Sequence, residues 1–204
     1  MSLNGTAAHE TLAGLPPLVA RALEVARAHG FEHSCRPEQG RLIQALAQGA
    51  GARIGESGTG CGVGLAWLAS GAAPGVRLVS VERDPVRAAL AAEVFAGRPQ
   101  VEVVHGDWTE LYGRGPFDLL VLDGGGQGKD AGPAADPLRL LAPGGTVVVD
   151  DFTPTTGWPP LHEGKPDTAR LHWLEHPALR ATEVRLAPDL GSVVATLRAD
   201  ADRG

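Results

Sequence analysis

The chain has 204 residues, 43% apolar and 21% charged, with a formal net charge of −6. That length suits one domain with a sizeable core, and the acidic balance excludes a broad basic field for nucleic acid or an anionic membrane. Cys35 and Cys61 are too few for a disulfide framework and imply free thiols in a reducing compartment.

The start of the chain lacks a basic segment followed by an apolar run, and no apolar run approaches the roughly 18 residues of a membrane-spanning helix. A soluble cytoplasmic protein is therefore expected. The 28 glycines and 16 prolines lie without period between apolar runs, which reads as tight loops and not as disorder.

In chain order, residues 1–10 read as a loose tail. Leu15, Leu18, Val19, Leu23 and Val25 recur near helical spacing and predict a helix over 12–29, stopped by Gly30. A second helix fits 38–48, opened by Pro37, with Leu42, Ile43, Leu46 and Ala47 as its buried stripe. Alternation of strand and helix follows: strands at 52–56, 76–82, 101–105, 117–123 and 146–150, and helices at 62–70, 85–95 and, weakly, 130–141. Strands that are continuously apolar are buried on both faces, as in a parallel sheet covered by helices, so the class is α/β. A short helix at 168–175 and two strands at 182–186 and 192–197 close the chain, the strands joined by the turn-forming residues Pro188-Asp189-Leu190-Gly191.

No linker divides the chain. The expectation is one domain over 1–204, with N-terminal helices at 1–49, a cofactor-binding core at 50–151, and a lid loop, short helix and hairpin at 152–204. The lid reading rests on the long proline-rich segment 151–167, which carries Trp158 and His162.

Glu56-Ser57-Gly58-Thr59-Gly60-Cys61-Gly62 lies between the first strand and a helix. Gly58 and Gly60 let the backbone turn sharply and a ligand approach, and Gly62 allows close helix packing. The helix start adds unpaired N–H groups facing the crevice. Glu82 ends the next strand, where a carboxylate can accept hydrogen bonds from both ribose hydroxyls of a nucleoside cofactor. Dinucleotides and S-adenosylmethionine both carry that ribose. The acidic Glu56 beside the glycines suits a sulfonium and an ammonium better than a pyrophosphate, and so favours S-adenosylmethionine. After the third strand, Asp107 is placed to position the purine through its loop, and Trp108 either stacks on the adenine or caps the sheet. Asp123, at the C-terminal end of a strand, lies at the crevice mouth.

These motifs in order, with Val-Glu-Arg-Asp-Pro at 81–85, Gly-Asp at 106–107, Phe-Asp-Leu-Leu-Val-Leu-Asp at 117–123 and Leu-Ala-Pro-Gly-Gly-Thr-Val-Val-Val-Asp-Asp at 141–151, resemble class I S-adenosylmethionine-dependent methyltransferases. Within that class the chain resembles the small O-methyltransferases related to catechol and caffeoyl-CoA O-methyltransferases, including Pro37-Glu38-Gln39-Gly40 at its second helix. The resemblance implies a three-layer Rossmann-like sandwich with a mostly parallel seven-stranded sheet and an antiparallel C-terminal hairpin. It places Arg83 beside Glu82 among the cofactor contacts. It also implies a divalent cation, Mg²⁺ or Ca²⁺, held by Asp123, Asp150 and Asp151 next to the acceptor hydroxyls.

The chain departs from the group at three positions. Asp151 stands for an asparagine, Gly126 for the catalytic lysine, and Gly64 for a serine that contacts the methionine carboxylate.

The function expected is methyl transfer from S-adenosylmethionine to a small-molecule hydroxyl. Candidate catalytic groups are Asp123, Asp151, His162 and a neutral Lys129. Trp158 and Trp173 are candidates for the walls of an acceptor pocket, with Trp173 equally readable as core. His105 reads as structural, and His172 and His176 as surface groups. A nicotinamide-dependent oxidoreductase and a non-catalytic nucleoside- or partner-binding protein are the alternatives. Neither nucleic acid nor membrane is an expected partner, and a homodimer is left open.

Overall fold

The structure, a computed structural model, describes residues 4–129 and 132–200. Its main sheet has seven strands in the order β3-β2-β1-β4-β5-β9-β8. These are β1 (Arg53–Ser57), β2 (Arg77–Glu82), β3 (Val101–His105), β4 (Phe117–Leu122), β5 (Leu141–Phe152), β8 (Leu179–Ala187) and β9 (Leu190–Leu197). The strands from β1 to β5 run parallel, while β9 is antiparallel to both β5 and β8. The expected α/β fold with a reversed closing hairpin is therefore present. The hairpin strands are longer than the sequence suggested, with only Pro188 and Asp189 left at the turn.

Side chains along β4 explain the layering. Leu119 and Val121 join one apolar cluster, with Val19, Leu23, Ile43, Leu65 and Leu68. Phe117, Leu120 and Leu122 join the other, with Leu111, Leu140 and Trp173. Successive residues of a strand face opposite sides, so a continuously apolar strand must be covered twice. The first side is covered by α1 (Pro17–Ala28), α2 (Pro37–Ala47), α3 (Val63–Gly71) and α4 (Pro85–Val94). The second is covered by α5 (Pro137–Leu140), α6 (Thr168–Leu174) and a 3₁₀ turn at Trp108–Gly113.

Helix α3 is apolar around most of its surface because it lies between the sheet and the two N-terminal helices. Small residues permit that approach: a Cβ at Gly40 of α2 would overlap the Trp67 indole, and one at Gly71 would overlap the Gln44 carbonyl.

Five local expectations change. Met1–Leu3 of the predicted tail lie outside the described residues, but the rest is docked: Thr6 N–H donates to Glu32 O at 3.1 Å, Thr6 Oγ1 donates to Phe31 O at 2.6 Å, and His9 is buried beside Trp67. Helix α1 begins only at Pro17, since Pro16 has no N–H to continue a helix and keeps an extended conformation. On α2 the buried positions are Pro37, Gln39, Gly40, Ile43 and Ala47, with Leu42 and Leu46 only partly buried. Of the helix expected over 130–141, only α5 forms, behind Pro133 and Pro137, and residues 130–131 lie outside the described residues. The segment expected as an irregular lid holds a small hairpin of β6 (Leu161–His162) and β7 (Lys165–Pro166).

Candidate active site

The loops after β1, β2, β3 and β4 meet at the C-terminal edge of the parallel strands and are tied by main-chain bonds. Gly58 N–H donates to Val81 O at 2.8 Å, Gly106 N–H to Glu82 O at 2.9 Å, and Gly124 N–H to Ser57 O at 2.9 Å. Ser57 Oγ donates to Gly125 O at 2.8 Å. Gly58, Gly60 and Gly62 all have positive φ, which glycine adopts without a Cβ penalty.

A cavity of about 550 Å³ opens above this edge, lined by Gly58, Glu82, Arg83, Asp107, Trp108 and Asp123 among others. The sequence-derived cofactor residues are thus mostly gathered in one crevice at the topological switch between β1 and β4.

Glu82 already works within the protein. Its Oε2 accepts from Gly60 N–H at 2.8 Å, and its Oε1 accepts from Asp84 N–H at 2.9 Å and Arg87 Nη2 at 3.1 Å. It fixes the glycine turn; with Arg87 Nε also donating to Oε1 at 3.3 Å, that oxygen is fully engaged, and Oε2 retains acceptor capacity for a ligand hydroxyl. Asp107 caps the 3₁₀ turn by accepting from Thr109 N–H and Oγ1, which pulls its carboxyl below the usual range. Trp108 lies over Gly125 and Gly126, where any Cβ would overlap its ring. It meets Tyr112 at 5.7 Å. Its indole therefore both packs on the sheet edge and lines the crevice.

Glu56 is 2% exposed and sits behind the turn. Its Oε2 accepts from Ser80 Oγ at 2.5 Å. A Cβ at Gly64 would collide with Glu56 Oε1, so the glycine at this position makes room for the carboxyl. Burial, then the charges of Asp123 and Glu82, push the Glu56 carboxyl up to about 8 against the opposing effect of the Ser80 hydrogen bond.

Asp150 is likewise buried, and burial with the charges of Asp123 and Asp151 raises it to about 7. Ser192 Oγ lies 3.1 Å from Asp150 Oδ1 and 2.7 Å from Gln39 Oε1. One hydroxyl proton cannot serve both oxygens. Ser192 therefore donates to Gln39 Oε1 or to Asp150 Oδ1, with the other oxygen alongside.

Both carboxyls bind protons more tightly in the folded state than in the unfolded chain. Their contribution to stability is full below about pH 4 and is lost as pH rises through about 7 to 8. The Glu56→Gln variant is expected to gain on the wild type by roughly 1–3 kcal/mol between pH 5.5 and 8.5. Urea unfolding at the two pH values measures it, and an unchanged difference would contradict the assignment.

The ion triad expected from the resemblance is not formed. Among the described residues, no three His, Cys, Asp or Glu groups are arranged to hold a metal. The Asp150 carboxyl is directed to Ser192, inside the sheet. Asp151 takes a left-handed φ of 67°. Lys129 Nζ donates to the carbonyls of Asp150 at 2.7 Å and Asp151 at 2.6 Å, and lies 4.2 Å from the centre of the Phe152 ring. Burial lowers the Lys129 ammonium from its ordinary value, against the pull of Asp151, Asp150, Asp123 and Asp167.

A second cavity of about 420 Å³ is lined by Thr153, His162, Glu163, Lys165 and Asp167 and shares Gly128, Lys129 and Asp151 with the first. His162 and Lys129 thus line the same cavity. Trp173 is core, its Nε1 donating to Gln127 O at 2.9 Å. Trp158 is 66% exposed and lines a separate cleft with Pro154, Pro160 and Arg185, so neither tryptophan walls the second cavity.

Sequence reasoning missed Gln127, whose Nε2 donates to both Leu122 O and Asp150 O at 3.0 Å, and the buried Arg170. A helix-start aspartate three residues before an arginine was the legible sign of the latter.

Fold and crevice together define a methyltransferase domain, and a methyltransferase-domain family matches residues 56–152. The chain is 32% identical over 187 residues to a catechol O-methyltransferase of Mycobacterium tuberculosis, covering 86% of this chain and 84% of that protein. It is 33% identical over 132 residues to a catechol O-methyltransferase of Niastella koreensis, a match that spans only 58% of either chain. Among solved structures, cofactor-bound Rv0187 from MTB aligns with a TM-score of 0.73 and 27% identity, covering 95% of this chain and 94% of that one. The chain belongs to the S-adenosylmethionine-dependent O-methyltransferases.

Proposed function

We propose that this protein transfers the methyl group of S-adenosylmethionine to a hydroxyl of a small molecule, with the cofactor in the glycine-lined crevice and the acceptor in the adjoining cavity. The observation that carries the reading is the junction of the two cavities at Gly128, Lys129 and Asp151. A cofactor reaching from one and an acceptor entering from the other can place oxygen and methyl carbon in line, at about 3 Å, as displacement at a sulfonium requires.

In this reading Glu82 and Arg83 face the ribose, Asp107 and Trp108 the purine, and Gly58, Gly60 and Gly62 give the backbone its close approach. Asp123 lines the crevice on the side of the sulfonium and ammonium, and Glu56 stands behind the glycine turn. Asp151, His162 and Lys129 are the polar groups nearest the acceptor. The acidic crevice and the antiparallel β5–β9 pair argue against a nicotinamide cofactor, whose pyrophosphate needs a cradle without carboxylates.

The N-terminal helices, core and closing hairpin act as a single domain. The net charge of −6 supports a cytoplasmic small-molecule role without nucleic acid or membrane, and no helix among the described residues is long and apolar enough to cross a membrane.

Calorimetry tests the cofactor: S-adenosylmethionine and S-adenosylhomocysteine are expected to bind at micromolar levels and NAD not at all. Mass spectrometry of a panel of catechols and other phenols then tests the acceptor class. Micromolar binding of NAD alone would overturn the reading.

A further inference from the structure

We infer that the ammonium of Lys129 takes the place of a divalent ion at the acceptor site, so that this methyltransferase works without a metal. The inference rests on the O-methylation proposed above. Its starting point is the poor fit between the donor set and a cation. A hard divalent ion needs several oxygens converging at close range. Here the Asp150 carboxyl is 1% exposed and bonded to Ser192, and among the described residues no three acidic or imidazole groups converge.

Lys129 stands beside the same aspartates, held by their main chain. Its chain crosses the face of Phe152, whose ring it meets at 4.2 Å. Its Nζ lies within 2.7 Å of two main-chain carbonyls, those of Asp150 and Asp151. Asp151, Asp150 and Asp123, the residues expected to hold the ion, are also the strongest of the charges acting on it. Adding a divalent cation beside an ammonium so held would set like charges against each other within a few ångströms.

An ammonium has three donors. Two serve the carbonyls, and the third is available to an acceptor oxygen at the junction of the cavities, which Lys129 lines from both sides. There it lowers the pKa of the acceptor hydroxyl, as a metal would. The hydroxyl proton passes to the Asp151 carboxylate. The oxygen lone pair forms the new C–O bond, and the electron pair of the broken S–CH₃ bond remains on sulfur, giving S-adenosylhomocysteine. Lys129 keeps its charge throughout and so acts as a cation and not as the base.

Three measurements test this. Manganese binding is followed by electron paramagnetic resonance with S-adenosylhomocysteine present. No binding at micromolar Mn²⁺ is expected, and micromolar binding to the wild type would overturn the inference. Second, 4-nitrocatechol serves as a chromophoric probe. Its bound form is expected to ionise at lower pH than in solution, and Lys129→Met is expected to abolish that shift while Lys129→Arg retains part of it. A shift that survives in Lys129→Met overturns the inference. Third, turnover of any accepted phenol is expected to persist in EDTA. It should fall about a hundredfold in Lys129→Met, without rescue by Mg²⁺. Turnover that EDTA abolishes and Mg²⁺ restores overturns it. S-adenosylhomocysteine affinity in Lys129→Met is expected to stay within threefold of wild type. Failure of the cofactor to bind the wild type would instead sink the broader methyltransferase reading, which keeps the two outcomes apart.

Discussion

Replacing Arg170 with methionine is expected to destabilise the protein by about 3–5 kcal/mol and to loosen the wall of the second cavity. Arg170 is 1% exposed, and its guanidinium is shared among three segments. Nε donates to Asp167 Oδ2 at 3.1 Å, Nη1 to Glu183 Oε2 at 2.9 Å, and Nη2 to Thr153 O at 2.8 Å. It also lies 4.8 Å from the centre of the Phe152 ring, the ring that Lys129 contacts as well. The fork therefore ties the end of β5, the start of α6 and the edge strand β8 at one point.

Methionine matches much of the volume but leaves the nearly buried Asp167 and the partly exposed Glu183 without their cation. That residual charge, more than the lost bonds, sets the cost. A direct check is urea unfolding of Arg170→Met beside a triple variant that also carries Asp167→Asn and Glu183→Gln. The triple variant is expected to recover most of the loss. Equal destabilisation of both would show that packing, not stranded charge, dominates. Hydrogen exchange across 153–167 is expected to quicken in the single variant, because that segment hangs from the same guanidinium.

The framework that Arg170 braces was readable in large part before the structure. Continuous apolar runs such as Leu119-Leu120-Val121-Leu122 leave a strand no choice but burial on both faces, and the alternating periods then dictate a parallel sheet between helices. The crevice was legible because Gly58, Glu82, Asp107 and Asp123 each follow a strand, and the parallel strands deliver all such ends to one edge.

What failed to show was mostly long-range and polar. Asp150 and Asp151 look alike in sequence, yet one side chain faces Ser192 inside the sheet while the other lines both cavities. A strand's period of two assigns them to opposite faces, but not which face meets the crevice. Lys129 lies three residues beyond the position of the expected lysine and reaches the junction only because the loop over 124–128 folds back beneath Trp108. The docking of Thr6 and His9 joins segments far apart in the chain, and a local pattern carries no trace of it. Proline chemistry, by contrast, was legible and underused: Pro133 and Pro137 already argued against one continuous helix over 130–141.

Gly58→Ala is expected to be the most damaging single methyl that can be added to this protein's crevice. Gly58 has φ +85°, a region that costs a residue with a Cβ about 1–2 kcal/mol. Strain alone is not the main difficulty. The new Cβ would stand 2.5 Å from both Cα and N of Gly124, which is main chain and cannot swing aside as a side chain can. Gly124 is itself held by its N–H bond to Ser57 O at 2.9 Å, and Ser57 Oγ holds Gly125. The β1 and β4 loops would have to separate, and with them the floor between the glycine turn and Asp123.

A loss of roughly 2–4 kcal/mol in stability follows, together with at least a hundredfold loss of S-adenosylhomocysteine affinity by calorimetry. Gly144→Ala separates the two contributions. Gly144 has φ +76° but nothing within 4 Å of a new Cβ, so only the conformational cost applies, about 1 kcal/mol, and cofactor affinity should stay within twofold. If both variants lost stability equally and Gly58→Ala still bound S-adenosylhomocysteine as the wild type does, the contact between the two loops would not be what shapes the crevice.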